Sequence, residues 1–233
     1  MLEFLPNELL KKIFEFLQPT DFLALSKVSD RFKEVTKIID WSIINISNTS
    51  LDEDDLKLIK EKCRDSDEFS ILGTNTSFDR EVVFDFDFYI FDTLTNGENI
   101  TWLSLDFCPV STLIVLRHLP NIEILSLLHC NNLVPDDITA IRHCNRIEQL
   151  YISHTGITAI SLLDVLCRER FENLFCIDCQ GIEFTFLEIL ATTQVVGKLY
   201  YFGLSLFPTL TLPMFNMHFR DRYTHIDWRL FLL

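Results

Sequence analysis

Residues 100–155 read ITWLSLDFCPVSTLIVLRHLPNIEILSLLHCNNLVPDDITAIRHCNRIEQLYISHT. Apolar residues fall at relative positions 1, 4 and 6, as Ile100, Leu103 and Leu105, with Cys108 at position 9. The spacing returns at Ile122, Leu125, Leu127 and Cys130, and again at Ile147, Leu150, Ile152 and Thr155. Toward the C-terminus it continues at Phe171, Leu174, Cys176 and Cys179, then at Val196, Leu199, Tyr201 and Leu204. Two weaker frames precede it, at Trp41, Ile44, Ile46 and at Phe69, Leu72. Position 1 thus recurs at Ile100, Ile122, Ile147, Phe171 and Val196, nearly evenly spaced. An apolar pair separated by one residue is a short strand with one buried face. A period in the twenties leaves room for that strand and one return segment, a unit that buries its apolar face only by stacking on its neighbours. The return segments predicted to be helical are 52–64, 79–94, 111–119, 135–144, 160–170 and 184–191, the fourth opening on Pro135-Asp136-Asp137 with acids at the positive end of the dipole.

The L-x-x-L-x-L-x-x-N/C arrangement resembles a leucine-rich repeat. The resemblance implies an α/β fold, a curved solenoid with parallel strands on the concave side and helices on the convex side. Six or seven repeats are expected over residues 41–205, the first two irregular, with 206–233 as a cap or tail. If positions 4 and 6 point inward, positions 3, 5 and 7 face the concave surface. That surface then presents Trp102, Tyr151, Phe175, Ile177, Tyr200 and Phe202, an aromatic patch of the kind that binds a protein partner. The apolar tail is the competing occupant of the same patch.

The rest of the composition narrows the partner. The chain has 233 residues, 48% of them apolar and 21 of them Phe, with 6 Gly and 7 Pro, which suits a packed fold rather than a disordered one. Its net charge of -14 would repel a phosphate backbone or an anionic membrane surface, so nucleic acid and membrane are not expected partners. The charge is uneven: residues 1–40 carry 7 acids and 6 bases, residues 41–100 carry 14 and 5, and residues 101–233 carry 13 and 9. Seven Cys and the absence of a basic N-terminal leader predict a reducing cytoplasmic or nuclear setting. Residues 199–219 lack Asp, Glu, Lys and Arg, but Gly203, Pro208 and Pro213 interrupt them, so a strand and loop is expected rather than a membrane span.

The character changes near Asp40. Before it lie three helical patterns: Leu9, Leu10, Ile13, Phe14 and Leu17; then residues 22–28; then Phe32, Val35, Ile38 and Ile39. Pro6 suits a first turn, Thr20 and Asp21 an N-cap, and Asp30 a cap for the third helix. Three helices this short cannot enclose a core, so some apolar surface must be shared with a neighbour. The run LPNELLKKIFEFLQPTDFLALSKVSDRFKEV resembles an F-box, the motif by which substrate receptors dock on the Skp-type adaptor of cullin-RING ubiquitin ligases. Leu5-Pro6, Glu8-Leu9, Ile13-Phe14, Leu17, Asp21, Leu23, Leu25, Val28 and Ser29 fall at the family's spacings; Phe32 stands where Trp is common and Ser29-Asp30 where Cys-Arg is frequent. The resemblance implies that Leu5, Pro6, Leu9, Ile13, Phe14 and Leu17 enter the adaptor's groove, with Leu23, Leu25 and Val28 completing the contact.

Sharper motifs have plainer explanations. Cys176 and Cys179 form a C-x-x-C, yet both fall at repeat positions that call for small buried residues. His129 and His154 share position 8 of adjacent repeats, roughly 5 Å apart across parallel strands, with Asp178 next in the row. A solvent-facing polar row is expected there rather than a metal. The acidic runs 52–55 and 65–68 lack the Gly turn and spaced ligands of a calcium loop. No nucleophile elbow, phosphate loop, dinucleotide fingerprint or zinc-protease motif occurs, so no catalytic residue, metal or cofactor is expected. The expected function is a non-enzymatic substrate-recognition subunit of an SCF-type ubiquitin ligase, binding the adaptor, and through it cullin and RING subunits, at residues 1–40. A repeat scaffold without a ubiquitination role is the alternative.

Overall fold

The computed structural model describes residues 4–46, 50–73, 77–78, 86–158, 161–162, 165, 171–175, 196–202 and 227–231. Three helices open the chain: α1 (Asn7–Phe14), α2 (Pro19–Ser26) and α3 (Asp30–Lys37). Their caps sit a few residues from the expected ones, because the side chain that reaches a free N–H decides the cap. Gln18 caps α2, with Asp21 Oδ2 accepting its backbone N–H at 2.9 Å, and the Ser29 hydroxyl rather than Asp30 caps α3 by accepting from Phe32 N at 3.3 Å.

Eight parallel strands follow, each beside the next in chain order: β1 (Ile43–Ile46), β3 (Glu68–Ile71), β5 (Trp102–Ser104), β6 (Ile124–Ser126), β7 (Gln149–Tyr151), β8 (Phe171–Phe175), β9 (Val196–Phe202) and β10 (Asp227–Phe231). A small second ladder pairs β2 (Ser50–Leu51) with β4 (Ser77–Phe78). The registers Leu103↔Leu125, Leu125↔Leu150, Leu150↔Leu174 and Phe171↔Val196 reproduce the spacing of the sequence frames. This is a leucine-rich-repeat solenoid. Every described side chain at positions 4 and 6, from Ile44 and Ile46 to Leu150 and Ile152, is buried. A recurrent joint holds the register, one carbonyl of each repeat accepting two N–H groups of the next. Thr101 N and Trp102 N donate to Asp67 O, Glu123 N and Ile124 N to Thr101 O, and Glu148 N and Gln149 N to Glu123 O.

Four details depart from the sequence pattern. In the second weak frame the inward residues are Phe69 and Ile71, not Phe69 and Leu72, since Phe69 pairs with Ile44 and Leu103. Position 1 there is Ser66, a buried polar residue invisible to an apolar template; its hydroxyl donates to Trp41 O at 2.6 Å and Lys62 O at 2.8 Å. On the helical side, α4 (Glu53–Cys63) and α5 (Phe86–Leu94) are α-helices, but the later repeats return through 3₁₀ helices, Ile114–His118 and Pro135–His143. A short repeat has few residues to span the sheet's length, and a 3₁₀ helix rises about 2.0 Å per residue against about 1.5 Å for an α-helix. The segments expected to be helical at 160–170 and 184–191 lie largely or wholly outside the described residues.

Finally, the sheet continues past residue 205. β10 pairs with β9 in parallel, Trp228 opposite Leu199 and Leu230 opposite Tyr201, so part of the expected cap is itself a strand. The step from Leu199 to Trp228 is longer than any between Leu103 and Leu199, and position 1 falls on His225, which hid the frame. Among the described residues no helix is long and apolar enough to cross a membrane, and Leu199–Phe202 lies within β9.

The helical unit and the solenoid share one core. Trp41, at position 1 of the first repeat, meets Phe22 of α2 at 5.2 Å between ring centroids and donates its indole N–H to Thr36 O at 3.0 Å. Beside it Lys27 reaches Asp55 Oδ2 at 2.7 Å and Asp52 Oδ2 at 3.0 Å, and Lys62 Nζ reaches Lys37 O. Asp52 and Asp55 also form the capping box of α4. Burial holds the Asp55 carboxyl above its ordinary pKa despite the Lys27 ammonium.

Two outcomes test this architecture. Leu127→Ala, at a fully buried site, should destabilise the chain by about 2–5 kcal/mol, whereas Ser104→Ala, half-exposed on the other face, should stay within about 0.5 kcal/mol. Ser126 is no neutral control: it is buried and its hydroxyl donates to Asp106 Oδ1 at 2.6 Å. Lys27→Ala should cost about 1–3 kcal/mol at neutral pH, a figure discounted for the exposed half of Lys27. Because the folded-state pKa of Asp55 is raised, the folded chain binds its proton over a window where the unfolded chain does not, so stability falls as pH rises through that window. Removing Lys27 widens the window, and denaturant melts should show a smaller penalty near pH 4 than at pH 7.

Candidate functional site

Helix α1 carries two apolar stripes at helical spacing. Leu10 and Phe14 point into the core, where Phe14 meets Phe32 edge-on at 5.6 Å, with Leu17 packed partly against it. Leu9 and Ile13 point outward, 46% and 38% exposed, and Phe16 follows them at 88%. Phe4, Val28 and Ile38 add exposed apolar side chains to the same unit. The expected adaptor residues therefore divide. Pro6, Leu9, Ile13 and Val28 are exposed, Leu5, Leu17 and Leu25 are half-buried, and Phe14 and Leu23 face the chain's own core. Phe14 and Leu23 are buried in the chain's own core, and the stripe beside Phe14 on α1 carries the outward surface. Phe4, Phe16 and Ile38 escaped the sequence reading, although the spacing of Leu9, Ile13 and Phe16 was a visible signal for Phe16.

On the strand side, Trp102 is 42% exposed and Tyr151 is half-buried, its hydroxyl donating to Gln149 Oε1 at 2.9 Å. Phe175, Tyr200 and Phe202 lie on the strands β8 and β9, with Phe175 opposite both Tyr151 and Tyr200 in register. Ile177, Cys176, Cys179 and Asp178 lie outside the described residues. Asp106, at position 7, is occupied internally, accepting from the Ser126 hydroxyl at 2.6 Å and Leu128 N at 2.9 Å.

At position 8 the chain turns off β5, β6 and β7 through a left-handed residue, Phe107 at φ 59°, His129 at 59° and His154 at 56°. Such a backbone is strained for a bulky residue, and the three rings stack on one another. Phe107 and His129 lie 4.3 Å apart, His129 and His154 4.2 Å, with interplanar angles of 13° and 8°. Imidazole lone pairs lie in the ring plane, so a face-to-face pair directs them side by side rather than onto a shared ion. The stack stops at Gly73, the position 8 residue of the preceding repeat, where a Cβ would come within 2.3 Å of Phe107 O.

Cys108 and Cys130, at position 9, are buried and donate their thiols to Ile71 O at 3.7 Å and Leu105 O at 3.0 Å, the position 6 carbonyls of the preceding repeats. Burial pushes the thiols of Cys63, Cys130 and Cys144 up to about 12, and raises that of Cys108 as well. Thiols so far above neutral pH are packing groups rather than nucleophiles.

Comparison with known proteins bears on these two surfaces separately. Residues 2–41 match the F-box domain, so the three N-terminal helices are an F-box. The chain thus joins an F-box, a class of domain that binds Skp-type adaptors, to a leucine-rich-repeat solenoid. Among solved structures it is similar to an internalin (inlF) from Listeria monocytogenes, with a TM-score of 0.48 and 12% identity over 73% of this chain and 50% of that one. It is also similar to internalin C2 (inlC2) from the same organism, with a TM-score of 0.46 and 12% identity over 92% of each chain. The chain spans half the length of the first of these. No curated protein matches it.

The thiol chemistry has a direct readout. Iodoacetamide at pH 8 should leave Cys63, Cys108, Cys130 and Cys144 unmodified in the folded chain and alkylate all four in denaturant, as followed by peptide mass spectrometry. Rapid labelling of Cys130 in the native chain would contradict its place in the packed stack.

Proposed function

We propose that the chain is the substrate-recognition subunit of an SCF-type ubiquitin ligase. Residues 1–40 dock on the Skp-type adaptor, and through it on cullin and RING subunits, while the strand face from Trp41 onward holds a protein substrate. The observation that carries this reading is the outward stripe of Leu9, Ile13 and Phe16, with Val28 and Phe4, on a domain of the F-box class. So much exposed apolar surface on so short a unit is the mark of an interface rather than of a free surface. The chain's contribution to the reaction is positional: a substrate held on the solenoid is kept at high effective concentration near the ubiquitin-loaded subunit. A shared core between F-box and solenoid supports this, because it fixes the direction in which the substrate is presented.

The test follows from the two stripes. Leu9→Asp with Ile13→Asp places two charges in the adaptor contact, where even one unpaired buried charge costs several kcal/mol, and should abolish copurification of adaptor and cullin. The melting temperature should hardly move, because both side chains are exposed in the free chain. Phe14→Asp should instead unfold the F-box. Undiminished recovery of the adaptor with the Leu9, Ile13 variant would remove the proposal, and recovery of adaptor without cullin would favour a scaffold role.

A further inference from the structure

We propose that the strand face at Trp102 and Glu68 receives a Lys or Arg side chain flanked by apolar residues, which makes a basic, apolar segment the substrate class. This rests on reading the strand face as the substrate site. Glu68 and Trp102 are register partners on β3 and β5, and on either side Glu68 pairs with Ile43 and Trp102 with Ile124. All four occupy position 3, outward by the strand alternation that buries Ile44, Phe69, Leu103 and Leu125. Adjacent strands lie about 4.8 Å apart, so a carboxylate and an indole stand side by side between two aliphatic side chains.

The row is open and unsatisfied. Ile43 is 52% exposed and Trp102 42%, while Glu68 is half-exposed. Among the described residues no hydrogen bond or ion pair engages the Glu68 carboxylate or the Trp102 indole N–H. The other carboxylate on this face, Asp106, is spent on Ser126 and Leu128. Outward positions 3, 5 and 7 of the described residues from β1 to β7 hold no Lys, Arg or His. In the sequence, the stretch 41–100 that contributes β1 and β3 carries 14 acids against 5 bases. A cation set over an indole face gains from the ring quadrupole, and a neighbouring carboxylate adds charge complementarity and a hydrogen-bond acceptor. The methylene stem of Lys or Arg, with apolar neighbours in the segment, suits Ile43 and Ile124. An acidic or phosphorylated segment would meet like charge.

The full chain, bound to its adaptor, should be used to select from a display library of random peptides. Binders should be enriched in Arg or Lys between apolar residues. In a selected peptide, replacing Arg by its uncharged isostere citrulline should weaken binding about tenfold, and Glu68→Gln or Trp102→Ala in the protein should do likewise. On the Glu68→Gln protein the citrulline exchange should have little further effect, which identifies the pair as directly coupled. Neither substitution should shift the melting temperature. Selected peptides without basic residues that bind through Tyr151 or later repeats, indifferent to Glu68→Gln, would overturn this inference and leave the strand-face reading standing. Binding insensitive to every strand-face substitution would overturn both. A large fall in melting temperature for Trp102→Ala would assign the indole to packing against the chain's own tail, and would also overturn the inference.

Discussion

A solenoid's first repeat has no preceding neighbour, so its inward face is closed only if something else packs against it. Here the F-box helices meet that need through Trp41. Its indole belongs to the first repeat by spacing and to the helical unit by contact, lying against Phe22 and donating to Thr36 O. Ser66 then ties the Trp41 carbonyl to the second repeat. Helices too short to enclose a core and a repeat stack with an open end complete each other, and neither unit closes its core without the other.

That dependence shapes how the molecule acts. A linker between F-box and repeats would let the two units swing; a shared apolar core with the Lys27, Asp52 and Asp55 group at its rim does not. The outward stripe on α1 and the strand face are thereby held in one frame. The junction is polarised as well. Asp55 is buried with only one of its oxygens satisfied among the described residues, so its charge depends on Lys27 from the F-box side.

The strand face divides its polar groups between internal and external use. Asp106 and Ser126 close on each other and on Leu128 N, and the stacked rings at Phe107, His129 and His154 bind one repeat to the next. Among the described residues Glu68 and Trp102 have no such internal use.

The repeat frame was legible in the sequence because position 4 and 6 side chains are buried by strand alternation alone, a local geometry that leaves the same mark in every repeat. The registers from Leu103 to Leu174 follow that spacing residue for residue. The F-box stretch was legible for the same reason, through residue types at set helical intervals. Other features depended on the tertiary structure. Ser66 is polar, so no apolar template finds it; only the carbonyls of Trp41 and Lys62 make it a core residue. Strand β10 lies farther along the chain from β9 than the repeat period would place it, and is recognised only by its pairing. Phe14 and Leu9 are both apolar residues of one helix, and no property of the residues themselves says which faces inward. The position of α3, which brings Phe32 against Phe14, decides it, and with it which stripe is left exposed.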